Sequence, residues 1–194
     1  MDMASTAAPP ELRADALRNR DKILDVARGH LAAGRTDLPM NVIAREAGLG
    51  VGTVYRHFPT RQSLLESVAA DGFDELVSVT ESAASYSDPA KALRALLTGT
   101  LRCLDEKPGM AAVLESDEFA CLETVQMAAG MMDAVHTVLA RAHHAGLVRR
   151  GVTTSDIRRL VLGLHHARAL PGDSPGDVNT YVRILLDGLR GASR

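Results

Sequence analysis

A short stretch of this sequence concentrates polar side chains that are suited to binding nucleic acid. Hydroxyl, imidazole and guanidinium groups bind phosphates and the edges of bases, and here they come from Thr53, Tyr55, Arg56 and His57. Arg61 adds a second guanidinium, which we expect to lie against a DNA backbone. Each residue taken alone is equally well explained as solvated surface, because polar residues are mostly exposed. The elements that hold these side chains therefore decide whether they act together.

Residues 39–61 have the features of two short helices joined by a tight turn. Ala44 is a small residue where a second helix can cross closely, and Gly48 tolerates the unusual backbone conformation of the turn. Inward-facing apolar residues occur at the matching spacing, at Ile43, Leu49 and Val54. This pattern predicts a helix-turn-helix whose second helix presents an exposed face to the major groove of DNA.

The distribution of charge agrees with this prediction. The formal net charge of the chain is −2, but residues 13–61 contain nine basic and five acidic residues, a net charge of +4. The rest of the chain therefore carries −6. A basic N-terminal part on an acidic body is compatible with DNA binding by that part alone.

Apolar residues recur at helical spacing along most of the chain, and no segment has the pattern of a strand. Helix signals such as Asp88–Pro89 and a Thr153–Asp156 capping box predict about nine helices. Their expected positions are 11–33, 40–47, 51–58, 61–82, 89–107, 110–118 and 121–145, then one after Thr153 and one announced by Ser174, Pro175 and Asp177. We expect an all-α fold with a disordered lead-in at 1–10, a helix-turn-helix domain of three helices at 11–59 and a larger helical domain at 60–194.

The helix expected at 121–145 is apolar on more than one side. One stripe includes Val125 and Met132, and a second includes Met127 and Met131. A helix of this kind is predicted to be buried on several faces.

Five histidines raise the question of a metal site, and they are His136, His143, His144, His165 and His166. A di-metal site in a helical bundle uses paired Glu-x-x-His motifs with further carboxylates, and this sequence has no such motif. We therefore predict no metal and no other cofactor, with His143 and His144 at the surface. Three glycines between residues 48 and 52 do not indicate a nucleotide-binding loop, because no strand precedes them.

The sequence favours a cytoplasmic location. Cys103 and Cys121 are too few for a disulfide framework, and both are expected to be buried apolar cysteines. No apolar run approaches the roughly 20 residues that cross a bilayer, and residues 1–10 lack the features of a secretion signal. We expect no membrane partner.

The run from Ile23 to Leu65 resembles the DNA-binding domain of TetR-family regulators. The resemblance rests on motifs that this sequence spells as ILDVA at 23–27, Gly34, IA at 43–44, AGL at 47–49, GT at 52–53, Tyr55, HF at 57–58 and LL at 64–65. Three positions depart from the family pattern. Pro39 and Gly50 replace common hydroxyl residues, which removes polar contacts, and Arg61 replaces a common lysine, which keeps the charge.

The resemblance implies a homodimer with an Ω shape that binds an operator in double-stranded DNA. It assigns Tyr55 and His57 to phosphates, Thr53 to phosphate or base, and Val51 and Arg56 to bases. Gly52 lies within the same contact surface, and Phe58 would belong to the core. The larger domain is implied to bind a small molecule and to form a four-helix interface from the last two helices of each subunit.

Candidate residues for these two further sites follow from the implied architecture. A ligand cavity is expected near Cys103, Met110, Phe119, Met127, Met131, His136 and His165, although methionine at helical spacing is also typical of plain core. The dimer interface is expected at Leu160, Leu164, Tyr181, Leu185 and Leu189, because one subunit alone could not bury both apolar sides of the last two helices.

The sequence thus predicts a DNA-binding regulator that is not an enzyme, and in particular a repressor released from a palindromic operator by a small-molecule effector. The alternative is a helical ligand-binding or enzymatic protein with a vestigial helix-turn-helix. An architectural DNA-binding protein without a ligand is a third possibility, which would leave half of the chain without a purpose.

Overall fold

The computed structural model describes residues 10–116, 118–170 and 177–190, and within these ranges all regular structure is α-helical. The nine helices are α1 (Pro10–Ala32), α2 (Met40–Glu46), α3 (Val51–His57), α4 (Arg61–Ser85), α5 (Pro89–Glu106), α6 (Met110–Glu115), α7 (Leu122–His144), α8 (Thr154–Arg168) and α9 (Val178–Leu189). The predicted all-α fold and helix number are confirmed. The lead-in was expected at 1–10, but Pro10 begins α1. Residues 1–9 and the signals at Ser174 and Pro175 lie outside the described residues.

The chain divides into two compact units, of which the first extends to Val68 and the second begins at Ala69. The division falls within α4, whereas the sequence placed a boundary between residues 59 and 60, just before that helix begins. One helix therefore contributes residues to both units.

The first unit is held by the buried faces of α1, α2 and α3. Ile23 and Ala27 of α1 and Ile43 and Ala44 of α2 are fully buried. Val54 of α3 is also fully buried, so its helix lies against this core. Burial of apolar side chains stabilises the unit by roughly 1.5–3 kcal/mol for each large residue.

The α2–α3 turn has the backbone that the sequence predicted. Gly48 has φ = +68°, in the left-handed region. The N–H of Gly48 donates to Arg45 O at 3.2 Å, and the N–H of Leu49 donates to Ala44 O at 2.9 Å. These two bonds form a Schellman motif, which satisfies the last carbonyls of α2 and ends the helix sharply.

A buried histidine ties α1 to the end of α2. His30 is 3% exposed, and its Nε2 lies 2.7 Å from Glu46 Oε2. This bond is the main cause that holds the pKa of the Glu46 carboxyl below its ordinary value of 4.5. The other ring nitrogen, Nδ1, is buried and has no hydrogen-bond partner among the described residues. The contact therefore fixes α2 against α1 through one polar pair.

The second unit is arranged around α5, whose buried side chains recur at helical spacing at Leu93, Leu97, Leu101 and Leu104. This helix packs against α6, α7, α8 and α9. Its N-terminus is capped by Asp88, which accepts hydrogen bonds from the backbone N–H groups of Ala90 and Lys91. The predicted capping box of Thr153 and Asp156 is also present at the start of α8.

One prediction about α7 is wrong. Its buried face contains Thr124, Ala128, Met131 and Val138, and only this side is covered by the described part of the unit. Leu122, Val125 and Met132 are exposed by 72%, 44% and 41%. The sequence pattern overestimated burial because an apolar side chain does not have to be covered within its own subunit.

We predict that Gly48→Ala destabilises the first unit by about 1 kcal/mol, because an alanine Cβ makes the left-handed conformation unfavourable. A Cβ at this position would meet no atom within 4 Å, so the loss is conformational and not steric. The measurement is amide hydrogen exchange of α2 and α3 in the two proteins. Gly52→Ala is the matched control: it lies within α3, where alanine favours the helix by up to about 1 kcal/mol. Equal changes in both variants would contradict the role of the turn.

A second prediction concerns acid stability. A lowered pKa in the folded state means that the Glu46 charge stabilises the fold above about pH 4.5, and that this contribution is lost as the pH falls through the lowered value. The unfolding free energy of the protein should therefore exceed that of Glu46→Gln near pH 7, and the difference should shrink in acid. Urea titrations at a series of pH values measure it. Asp25→Asn, which removes an exposed pair with Arg28, is the control. A difference independent of pH would refute the charge-based explanation.

Candidate DNA-binding surface and ligand cleft

The outer face of α3 carries the residues that the sequence proposed for DNA. Tyr55 and Val51 are 48% and 41% exposed, whereas Val54 between them is fully buried. Gly52 and Arg56 are also exposed, and Thr53 and His57 are half-buried. The helix thus turns one side to the core and leaves the other side free for contacts. It is short enough that all six proposed residues of α3 lie within two turns.

The C-terminal end of α3 is anchored by an aromatic residue. Phe58 is 2% exposed, in agreement with its implied place in the core. The Arg20 guanidinium of α1 lies over the Phe58 ring, 5.4 Å from its centroid, a distance at which the cation attracts the ring face. Sequence reasoning did not assign a role to Arg20, because an interaction between distant helices leaves no local pattern.

Arg61 has a structural contact in addition to its proposed role. Its Nη2 donates to Thr36 O at 2.5 Å and so connects the start of α4 with the loop between α1 and α2. The side chain remains exposed. A guanidinium has five N–H donors, so this bond leaves others for a phosphate.

Two departures from the family pattern have visible consequences. Pro39 and Gly50 occupy the N-cap positions of α2 and α3, and neither helix has a hydrogen bond from a capping side chain. The expected loss of polar groups at these positions is therefore real. The fold does not depend on them, because burial of Ile43, Ala44 and Val54 holds both helices.

The second unit contains an apolar cleft bounded by α4, α5, α6, α7 and α8. Its walls include Leu76, Leu97, Leu114, Met131 and Ile157, one from each helix. The space within it that a water-sized molecule can occupy is about 70 Å³. Pockets for small organic ligands have volumes of roughly 300–1,000 Å³ and mostly apolar walls. The cleft therefore has the lining of a ligand site, but in this conformation its volume is below that range.

Of the seven residues proposed for a ligand cavity, Met131 lies on the wall of this cleft. Cys103 and Met110 are instead packed close to α4: Cys103 Sγ donates to Gly72 O at 3.4 Å, and a Cβ on Gly72 would lie 2.6 Å from Met110 Cγ. Burial, as the main cause, raises the pKa of the Cys103 thiol to about 11, which makes it a poor thiolate. These two residues belong to the core.

The remaining four candidates lie elsewhere in the second unit. Phe119 packs edge-on against Phe73, with ring centroids 5.9 Å apart. His165 Nδ1 lies 3.1 Å from Asp105 Oδ1, and Arg168 also binds that carboxylate. His136 is exposed and Met127 is half-buried, and neither lines the cleft. Sequence reasoning missed most of the cleft because its walls come from five helices whose stripes look like ordinary core.

The residues proposed for a dimer interface have different degrees of exposure. Leu160 is 40% exposed, and Leu164, Tyr181 and Leu185 are half-buried. Leu189 is 1% exposed and its carbonyl accepts a hydrogen bond from Arg149 N at 3.0 Å, so this side chain packs inside its own subunit. The outward position on α9 is occupied instead by Ile184, which is 60% exposed.

His143, predicted at the surface, is half-buried and holds the connection between α7 and α8. Its Nδ1 lies 3.2 Å from Val148 O, and its Nε2 lies 3.0 Å from Val152 O. His144 is exposed. Across the described ranges, no three histidine, cysteine or carboxylate side chains are grouped so that they could hold a metal ion.

None of the helices described here is both long enough and apolar enough to span a bilayer.

Two families of known proteins match the sequence. The family described as bacterial regulatory proteins, tetR family, matches residues 23–68. The family described as transcriptional regulator SbtR-like, C-terminal domain, matches residues 88–191, which is more than half of the chain. The resemblance drawn from residues 23–65 is confirmed, and the second match extends it over the larger domain.

Individual relatives agree with the family matches. An HTH-type transcriptional regulator of Staphylococcus aureus (strain bovine RF122 / ET3-1) is 41% identical over 54 residues, which cover 27% of this chain and 29% of the relative. The chain therefore matches less than a third of that relative's length.

Solved structures match over most of the chain. The TetR transcriptional regulator SCO0520 from Streptomyces coelicolor has 30% sequence identity and a TM-score of 0.51, over 90% of this chain and 99% of its own. AibR, crystallised with isovaleryl coenzyme A and operator DNA, has 16% identity and a TM-score of 0.61, over 89% of this chain and 98% of its own. The second likeness concerns the fold alone. With both of its domains matched, the chain belongs to the TetR family of bacterial transcriptional regulators.

Proposed function

We propose that this protein is a homodimeric repressor that binds a near-palindromic operator and releases it when a small molecule occupies the cleft of the second unit. The observation that carries the proposal is the exposed polar face of α3, held on a buried helix-turn-helix. A helix of this kind reads base edges in the major groove and binds the flanking phosphates.

The residues of this face have different roles in the proposal. Arg56 and Val51 face the bases, where a guanidinium pairs with guanine and an apolar side chain contacts a thymine methyl group. Tyr55 and His57 bind phosphates, and Thr53 binds a phosphate or a base. Gly52 is exposed and has no Cβ, so the backbone can approach the DNA closely there. Arg61 binds a phosphate at the start of α4.

Dimerisation is proposed from the outward residues of α8 and α9. Leu160, Leu164, Tyr181, Leu185 and the additional residue Ile184 would form the interface, and a second copy would cover them. A two-fold dimer places two copies of α3 on half-sites about one helical turn of DNA, roughly 34–36 Å, or a multiple of it apart. Operator symmetry would follow from this arrangement.

The cleft is the proposed effector site. AibR, which has the same fold, was crystallised in complex with both isovaleryl coenzyme A and operator DNA. In the present chain, α4 supplies Arg61 to the DNA-binding surface and Leu76 and Thr80 to the cleft. A ligand that shifts this helix would alter both sites, provided that it binds the two conformations with different affinity.

Operator binding can be tested on the DNA upstream of the protein's own coding region. We expect Arg56→Ala to weaken binding by about tenfold to a hundredfold, the cost of one bidentate base contact. Arg61→Ala should weaken binding to all sequences and reduce the slope of log K against log [salt] by about one. Fluorescence anisotropy at several salt concentrations measures both effects. Arg28→Ala, an exposed arginine of α1 paired with Asp25, is the control and should bind normally. If Arg56→Ala and Arg61→Ala bound DNA as well as Arg28→Ala does, the assignment of Arg56 and Arg61 to the DNA-binding surface would be contradicted.

The dimer interface can be tested by placing a charge at its proposed centre. Ile184→Asp should convert the dimer to a monomer, because burial of an unpaired carboxylate is strongly unfavourable. Sedimentation velocity at micromolar concentration measures the change. Leu122→Asp is the control. Leu122 lies on α7, outside the proposed interface, and is more exposed than Ile184, so this variant should remain a dimer. A wild-type protein that sediments as a monomer, or equal dissociation in both variants, would exclude this interface.

A further inference from the structure

A second concavity of the second unit differs from the cleft because cations line it. We call it the basic pocket. Its walls come from the start of α5, the turn after α7 and the end of α9, and they include three cations and three leucines: Lys91, Arg94, Arg190, Leu93, Leu147 and Leu186. No carboxylate is among its described lining residues. Pockets lined by charge of one sign concentrate the electric field and attract counter-ions. The basic pocket is therefore a candidate anion site that neither DNA binding nor the cleft uses.

The three cations of the basic pocket have no partner within the part of the chain that the structure describes. Lys91, Arg94 and Arg190 are exposed, and their side chains make no ion pair, hydrogen bond or ring contact there. The nearest carboxylate in sequence, Asp88, accepts hydrogen bonds from the backbone N–H groups of Ala90 at 2.8 Å and Lys91 at 3.4 Å, and it does not line the pocket. Like charges around one pocket repel one another, and a bound anion would relieve this repulsion.

Helix geometry brings the cations to the pocket from two sides. Lys91 and Arg94 are three residues apart on α5, so they are neighbours on one face of that helix. Lys91 also lies in the first turn of α5, where the positive end of the helix dipole makes a cation unfavourable. At the end of α9, Leu186 and Arg190 are four residues apart and share a face in the same way. An anion in the pocket would therefore connect the start of α5 with the end of α9.

The leucines give the basic pocket an apolar floor. Leu93 is 1% exposed, and Leu147 and Leu186 are half-buried. The position of Leu147 is fixed by the turn that ends α7, because its N–H donates to Ala142 O at 2.9 Å and Gly146 has φ = +70°. An apolar floor beneath cations suits an anionic group that carries an organic part.

The basic pocket has more room than the cleft. The space that a water-sized molecule can occupy is about 130 Å³ in the pocket and about 70 Å³ in the cleft. One water needs roughly 10–15 Å³ of such space. The pocket can therefore hold a group of several heavy atoms, such as a phosphate.

The pocket also faces away from the side of α9 that is proposed to meet a second copy. Leu186 follows Ile184 by two residues, which places the two side chains about 200° apart around the helix. Ile184 is 60% exposed and does not line the pocket. A partner seated on Ile184 would therefore leave Leu186 and the pocket behind it uncovered.

We propose that the basic pocket binds the phosphate group of a small phosphomonoester, whose organic part lies against the three leucines. Such a phosphate carries about 1.5–2 negative charges near pH 7, so several cations are needed to neutralise it. Arg94 and Arg190 bind its oxygens with their forks of N–H donors, and Lys91 adds a third positive charge. A monocarboxylate would neutralise only one of the three cations. Inorganic phosphate shares the charge of the ester but lacks its organic part, so the two ligands can be distinguished.

The experiment is isothermal titration of the full-length protein, without DNA and in a buffer free of phosphate, with phenyl phosphate, inorganic phosphate and benzoate. We expect phenyl phosphate to bind most tightly, because it combines the dianion with a ring that contacts the leucines. Benzoate keeps the ring but has a single charge, and it should bind most weakly. The affinity for phenyl phosphate should fall as salt is added, because salt screens exposed charges. Equal affinity for phenyl phosphate and inorganic phosphate would contradict the organic part and assign the free ion.

Three variants locate the binding site. Arg94→Gln should weaken phenyl phosphate binding by about fivefold to tenfold, a moderate loss because the bidentate pair is exposed. Arg102→Gln is the matched control, since Arg102 is also an exposed arginine of α5 but lies outside the pocket, and it should bind normally. Ala90→Glu places a carboxylate beside the cations at an exposed position of the pocket and should weaken binding by at least about tenfold. An acidic side chain is favourable in the first turn of a helix, so this variant should fold, as circular dichroism can verify.

Four outcomes would overturn the assignment of the basic pocket to a phosphate. These are equal effects of Arg94→Gln and Arg102→Gln, unchanged binding by Ala90→Glu, benzoate binding as tightly as phenyl phosphate, and no binding of either phosphate compound. Occupation of the pocket requires neither DNA nor a ligand in the cleft. Failure here is therefore distinct from failure of operator binding in the anisotropy experiment.

Discussion

The close crossing of α2 and α3 is the constraint on which the DNA-binding surface depends. Ala44 is fully buried, and Gly48 supplies the left-handed residue of the turn, so that only four residues separate the end of α2 from the start of α3. A larger side chain at Ala44 would not fit into this buried space. A residue other than glycine at position 48 would disfavour the left-handed backbone of the turn. The exposed face of α3 is then fixed by the burial of Val54 on its other side. The packing of Val54 therefore determines which way the polar residues of this face point.

Local signals in the sequence predicted the turns and the helix ends almost completely. The Schellman turn at Gly48, the Asp88 cap and the Thr153–Asp156 capping box each depend on residues within one or two helical turns. Such contacts repeat in many proteins with the same residue types, so they can be recognised without a structure. The helix ends predicted from them differ from the observed ends by no more than three residues.

The cleft and the interface residues were harder to predict because they depend on packing between distant helices. Met110 and Met131 have similar sequence surroundings, yet the first fills a close contact beside Gly72 and the second lines empty space. Leu189 and Ile184 are both apolar residues of α9, but only Ile184 remains exposed. Apolar periodicity identifies a face of a helix, and it does not reveal whether a neighbour fills the space against that face. The same limit explains the exposed apolar side of α7.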